Sequence, residues 1–273
     1  MTDTTSPNEA TAKKPAQRSP WRSVAMPTEH GGWGLTAEPV VAGLAIAPSI
    51  AGVCLGFAAL LAFLAHTPLR IVLVDRHRAR DLQRTALARR ALLIEVSACL
   101  ALLAVAAVTA QGAFWWPAAI AAPLVAVQLW FDTRSHSRRL APELAGTYGI
   151  CAVGAMILLA AGHQRAEAVA VWLIFVGRAT TSVPHVRAQV ARLHGRSSPG
   201  STLLAADALT LVAVAAAVAL DPAVAAGAVA VVGIIAVQRI TARTPTPAKV
   251  AGIRQSIYGL VVAIATVLGV YFT

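Results

Sequence analysis

Charge is scarce in this chain. Of its 273 residues only 13% are Asp, Glu, Lys or Arg, about half the share of an ordinary soluble domain. That excludes disorder over most of the length, a collagen-like fibre and a typical cytosolic enzyme. Cysteine is scarce too: Cys54, Cys99 and Cys151 all lie in apolar runs. No CxxC or Cys/His spacing exists, so a disulfide scaffold and a zinc module are excluded and the thiols read as small hydrophobes. The GxSxG, HExxH, Walker and Rossmann patterns are missing, so the common hydrolase, zincin and nucleotide chemistries carry no signal. The first 25 residues, MTDTTSPNEATAKKPAQRSPWRSVA, lack the apolar run of a signal peptide. They read as a disordered cytosolic tail, with residues 26–273 forming one transmembrane helical domain.

What the chain has is hydrocarbon. Apolar residues make up 57% of it. At roughly 20 residues per membrane crossing, the length holds about nine spans with short loops. Apolar runs of that kind fall near 35–50, 51–66, 91–109, 114–131, 144–161, 167–184, 203–220, 223–237 and 256–272. Turn formers part them, among them Pro48-Ser49, Gln111-Gly112, Gly162-His163 and Asp221-Pro222. The expected fold is all-α, a polytopic bundle of about nine transmembrane helices.

The basic residues set the orientation. The tail holds Lys13, Lys14, Arg18 and Arg22, and the stretch after the second span holds seven arginines between Arg70 and Arg90. Arg134, Arg138 and Arg139 follow the fourth span, Arg178, Arg187, Arg192 and Arg196 surround the end of the sixth, and Arg239, Arg243, Lys249 and Arg254 follow the eighth. With alternating spans, 22 of the 23 basic residues fall on one side and Arg165 alone on the other. The positive-inside rule places that side in the cytosol. The expectation is a multi-pass protein of the bacterial inner membrane, N-terminus inside and C-terminus outside. The net charge of +11 is then an orientation signal and an attraction to anionic lipid, with no nucleic-acid partner implied.

Ionisable groups within a membrane are costly, and each is a candidate for function. Glu38, Glu95, Glu143, Arg178 and Asp207 lie within or near span ends, as do His66 and His185. Glu38 follows Glu29-His30-Gly31-Gly32-Trp33-Gly34, which reads either as an amphipathic entry segment lying on the membrane or as a lip over a polar hollow lined by His30 and Glu38. Arg178, Thr181 and His185 are spaced to share one helical face if the helix persists past Pro184. Arg178 is read either as a ligand group or as an ion pair with Glu38 or Glu143. The candidate cavity is therefore His30, Glu38, His66, Arg70, Glu143, Arg178, His185, Arg187, Arg254 and Tyr258. A faint four-span echo accompanies it: Glu38-Pro39 against Pro142-Glu143, and His66-Thr67-Pro68-Leu69-Arg70 against Thr180–Arg187.

The entry motif Glu29–Gly34 with Glu38-Pro39 resembles that of the YwiC-like family of bacterial membrane proteins. The likeness runs from about residue 27 to the last span. It takes in the arginine-rich stretch after the second span, Glu143-Leu144-Ala145-Gly146 and Val186-Arg187. It implies a membrane bundle and brings no reaction with it. A weaker likeness is to the UbiA-like intramembrane prenyltransferases, nine-helix bundles with cytosolic active-site loops after the second and sixth helices. That likeness implies Mg²⁺ held by two Asp-rich motifs. Here the first site offers only Asp75 and Asp81, six apart and about 120° out of register on a helix, and residues 178–200 contain no Asp or Glu at all.

Four functional readings stay open. The first is binding of an amphipathic anion such as a lipid, an isoprenoid or quinone precursor, or a porphyrin, its charged head on Arg70, Arg178, Arg187 and Arg254. The second is a divergent transferase with Asp75 and Asp81 on one Mg²⁺. The third is a transporter built on Glu38, Glu95 and Glu143. The fourth is a haem-iron or other metal site from His30, His66 and His185.

Overall fold

The structure is a computed structural model and describes Trp21, Val24 and residues 32–80, 82–134, 139–196, 199–241 and 244–273. Nine α-helices appear among the described residues: α1 Gly32–Ile46, α2 Ile50–His77, α3 Gln83–Thr109, α4 Trp115–Thr133, α5 Leu140–Ala160, α6 Arg165–Leu193, α7 Gly200–Leu220, α8 Ala225–Thr241 and α9 Ala248–Phe272. A single 3₁₀ turn, Pro222–Val224, joins α7 to α8. No strand occurs among the described residues. Apart from Trp21 and Val24, the expected cytosolic tail lies outside the described residues, as do His30 and Asp81.

The chain is a polytopic helical membrane bundle. Seven of its helices are long and apolar enough to cross a membrane. The two others are informative. Helix α1 has 15 residues, about 22 Å against a hydrocarbon thickness of roughly 30 Å. Helix α4 opens on Trp115-Trp116-Pro117 and ends on Trp130-Phe131-Asp132, residue types suited to the membrane–water interface. The lipid-facing surface carries large exposed side chains such as Phe57, Leu93, Leu100, Val108, Leu209, Val229 and Leu260, which water would not tolerate in such number.

The split at Pro48-Ser49 is present. Helix α1 stops at Ile46, and Ser49 caps α2 by accepting a hydrogen bond from the Gly52 amide at 2.9 Å. Other boundaries differ from the apolar runs. Helices α2, α3 and α6 have 28, 27 and 29 residues, roughly 40 Å each. They overshoot the hydrocarbon and carry their arginines as helical extensions rather than loops. Thus the stretch read as a basic loop after the second span is mostly the end of α2 and the start of α3. Helix α6 continues through Pro184 without a break.

The four-helix echo recurs in the packing. Helix α2 packs against α1, α3, α4 and α5, and α6 against α5, α7, α8 and α9, the same pattern shifted by four, with a further contact of α6 to α1 that has no counterpart. Pro68 lies nine residues before the end of α2 at His77, and Pro184 nine before the end of α6 at Leu193. Helix α3 packs mainly on α2 alone, so most of its surface faces outward.

The apolar core is concentrated at one end. Ile46, Ala155, Leu158, Leu159, Val171, Ile174, Phe175, Val214, Val224 and Val231 form one buried cluster. They come from the late turns of α1, α5 and α7 and the early turns of α6 and α8. The opposite end, where the arginine-bearing connections gather, holds most of the buried charged residues, among them Asp75, Asp132 and Asp207.

Candidate functional site

A cavity of about 580 Å³ lies at the basic end, walled by α1, α2, α4, α5, α6 and α9. That volume is within the usual range of small-molecule sites. Its apolar wall includes Leu35, Ala59, Ala62, Phe63, Val125, Ile150, Val153, Val183 and Val186, and its polar wall includes Glu38, His66, Gln128, Glu143, Thr147, Ser182, Lys249, Gln255 and Ser256.

The glycine motif shapes one wall. A Cβ on Gly32 would come within 2.7 Å of the Phe63 ring, and one on Gly34 within 2.8 Å of Ser256 Oγ. The absence of side chains there lets α1 enter between α2 and α9. Trp33, on the same turn, sets its ring edge-on to Phe63 at 5.1 Å. One turn further, the Glu38 carboxylate rests on the bare backbone of Gly259, where a Cβ would overlap its oxygens.

Glu38 and Arg178 meet in the bundle interior. Arg178 Nη2 lies 3.5 Å from Glu38 Oε1 and donates to the Gln255 carbonyl at 2.6 Å. Arg178 is 0% exposed and Glu38 6%. Arg178 stands fifteen residues before the end of α6 at Leu193, roughly 22 Å along the axis. A guanidinium at that depth needs a counter-charge, because an uncompensated ion in hydrocarbon costs several kcal/mol. Of the two partners the sequence offered, the structure pairs Arg178 with Glu38. Glu143 instead accepts from Arg187 Nη1 at the half-exposed rim of the cavity.

A second polar wall comes from α2 and α4. His66 Nε2 lies 2.7 Å from Asp132 Oδ2. A carboxylate only accepts, so that ring nitrogen carries the proton. Asp132 is 2% exposed, and Gln128 Nε2 stands 3.4 Å from the same ring nitrogen.

The remaining sequence candidates sit elsewhere. None of Arg70, Arg178, Arg187 and Arg254 is a wall residue; the charged wall groups are Glu38, Glu143 and Lys249. The guanidiniums are turned aside by partners on neighbouring helices: Glu38 for Arg178, Glu143 for Arg187, and Gln189 Oε1 for Arg254. Arg70 also has a partner. His185 is 1% exposed and donates from Nδ1 to the Thr181 carbonyl at 2.8 Å. Its neighbour Thr181 donates to Asp207 Oδ1 at 2.6 Å, and Asp207 accepts from Arg239. Tyr258 packs against the apolar core rather than lining the hollow. Asp75 is 1% exposed, with Oδ1 taken by Arg84 at 2.8 Å and Oδ2 by Thr85 at 2.6 Å. Among the described residues no group of three or more His, Cys, Asp or Glu is placed to hold a metal ion.

Sequence reasoning missed Gln128, Asp132, Gln238 and Gln255. Each is a polar residue inside a helix, and all but Gln128 fall just beyond the apolar run assigned to it. Trimming the runs at their first polar residue hid them. Lys249 was counted only as an orientation charge.

Residues 26–158 match the model of the YwiC-like protein family. The match covers the entry motif and the first four helices and ends within α5, so it does not reach the last helix as the motif likeness suggested. No curated protein and no solved structure matches the chain.

Proposed function

We propose that this YwiC-like chain holds the head of an amphipathic anion in the cavity between α1, α2, α4, α5, α6 and α9. The observation that carries the reading is the wall itself. Apolar side chains from six helices enclose a hollow of about 580 Å³, with polar groups on several sides. Lys249 is exposed, and among the described residues it has no carboxylate partner. It supplies the charge for an acidic head, in place of the four arginines that the sequence offered. Glu38 lies in the inner wall, its charge offset by its pairing with Arg178. The Gln128 and Gln255 amides supply N–H donors for the rest of the head, because the His66 ring proton and the Thr147 and Ser182 hydroxyls are given to Asp132, the Glu143 carbonyl and the Arg178 carbonyl. Lipids, isoprenoid phosphates and porphyrin-like carboxylates share this chemistry. By the positive-inside rule the cavity opens to the cytosol in the inner membrane.

The two alternatives have less behind them. Metal-assisted transfer through Asp75 would first have to free both its oxygens from Arg84 and Thr85. Transport would need a polar route through the other end, which is filled by the apolar cluster around Leu158 and Phe175.

Native mass spectrometry of the detergent-purified protein, with lipidomics of what is released, tests the proposal. An anionic amphiphile should co-purify at about one per chain. It should be lost in Lys249→Gln and in Val153→Trp, which fills the hollow. A protein that carries no such molecule, or that keeps it in both variants, overturns the reading.

A further inference from the structure

A second feature runs along the seam between α6 and α9, which shares Gln255 with the cavity wall. Arg178, His185 and Arg192 recur every seven residues on α6 and so lie on one stripe, with Thr181 and Gln189 beside them. Opposite stand Arg254 and Gln255 of α9, with Gln238 and Arg239 of α8 and Asp207 of α7 completing the surround.

This seam is unsatisfied in two ways. Among the described residues nine buried side-chain nitrogen or oxygen atoms have no hydrogen-bond partner, and six of them are here: Arg178 Nε and Nη1, His185 Nε2, Arg192 Nη1, Arg254 Nε and Gln255 Nε2. Five of the six are donors; only His185 Nε2 is an acceptor, because Nδ1 carries the ring proton. A buried donor left open is costly, and the two at the basic end of the seam, Arg192 Nη1 and Arg254 Nε, point to an absent acceptor there. Charge agrees. Four arginines, Arg178, Arg192, Arg239 and Arg254, share two carboxylates, Glu38 and Asp207. Arg254 donates to the neutral Gln189 amide oxygen, and Arg192 Nη1 is buried without a hydrogen-bond partner among the described residues. The contrast with Arg84, Arg187 and Arg239, each on a carboxylate, is sharp.

We propose that Arg192 and Arg254 form an anion site for a phosphate group at the basic end of the α6–α9 seam, separate from the cavity. Both arginines lie within the last or first two turns of their helices, at the level where a lipid phosphate or a soluble phosphate can reach them. Arg254 reaches Gln189, three residues before Arg192 on α6, and guanidinium forks suit a tetrahedral oxyanion. The site does not depend on the amphiphile assigned to the cavity.

The test uses the full-length purified protein. Inorganic phosphate is titrated in detergent, and phosphatidic acid is offered in phosphatidylcholine nanodiscs. Saturable binding of at least one is expected. Arg192→Gln and Arg254→Gln should each weaken it about tenfold or more, the loss of one charge-assisted hydrogen bond. Arg192→Lys and Arg254→Lys should keep most of it, which separates lost charge from lost folding. Arg165→Gln, at the opposite end of α6, should bind as the parent does. Binding of inorganic phosphate identifies a soluble anion as sufficient; binding of phosphatidic acid alone identifies a lipid head group. No saturable binding of either probe, unchanged binding in both Gln variants, or equal loss in Arg165→Gln overturns the proposal.

Discussion

The two ends of this bundle are built on different principles. At the end where α1 meets α2, α5 meets α6 and α7 meets α8, the interior is closed by Ile46, Leu158, Val171, Phe175 and Val224. At the other end the same helices part around a hollow, and what holds them is ion pairs and hydrogen bonds: Asp75 with Arg84, His66 with Asp132, Glu143 with Arg187, Asp207 with Arg239, Gln189 with Arg254. In lipid no hydrophobic gain drives helix against helix, so the first end coheres by close packing and the second by polar contacts. A bundle anchored at one end can leave space at the other, and that is where a ligand site can form.

Substitutions can break this contrast or sharpen it. The largest effect is expected at the Glu38–Arg178 pair. Arg178→Met leaves a buried carboxylate without its counter-charge and should cost about 3–5 kcal/mol, read as a large drop in thermal stability in detergent. The double variant Glu38→Gln with Arg178→Met should recover much of that loss. Next comes the packed end. Leu158→Ala, at a fully buried position, should cost about 2–5 kcal/mol and leave ligand retention at the other end unchanged. If Leu158→Ala emptied the cavity as well, the two ends would not be separable.

A smaller effect is expected at Gly259. Its missing Cβ is the space the Glu38 carboxylate occupies, so Gly259→Ala must push that carboxylate aside. Stability should fall by about 1–3 kcal/mol, the range for overpacking, together with ligand retention. The smallest is Lys249→Gln. An exposed side chain without an ion pair should change stability by less than about 0.5 kcal/mol, while the co-purifying anion is lost.

The contrast between the ends also explains what could be read from the sequence. Helix number and type were legible because hydrocarbon demands long apolar helices, and Pro48-Ser49 marked the one ambiguous break. The shared face of Arg178, Thr181 and His185 was legible from spacing once α6 ran on through Pro184. Helix ends were not. Arg76, Arg84 and Arg192 are charged and look like loop, yet α2, α3 and α6 extend past the hydrocarbon, where water and head groups solvate them. Partners across helices were not legible either. Nothing local in the chain says that Asp132 will meet His66 or that Glu38 will rest on Gly259, because those meetings are set by how α1 wedges between α2 and α9. The arginines misled for a related reason. Their number suggested a cationic cavity, but their length lets Arg187 and Arg254 reach sideways to Glu143 and Gln189.

Site-directed accessibility tests the central claim most directly. In a background with Cys54, Cys99 and Cys151 replaced by alanine, Thr147→Cys, Lys249→Cys and Leu158→Cys are each treated with a membrane-impermeant maleimide, in inverted and in right-side-out vesicles. Thr147→Cys and Lys249→Cys should label in inverted vesicles only, and Leu158→Cys in neither. Labelling of Thr147→Cys from the outer face, or of Leu158→Cys as fast as Lys249→Cys, would contradict a hollow that opens inward above a closed outer end.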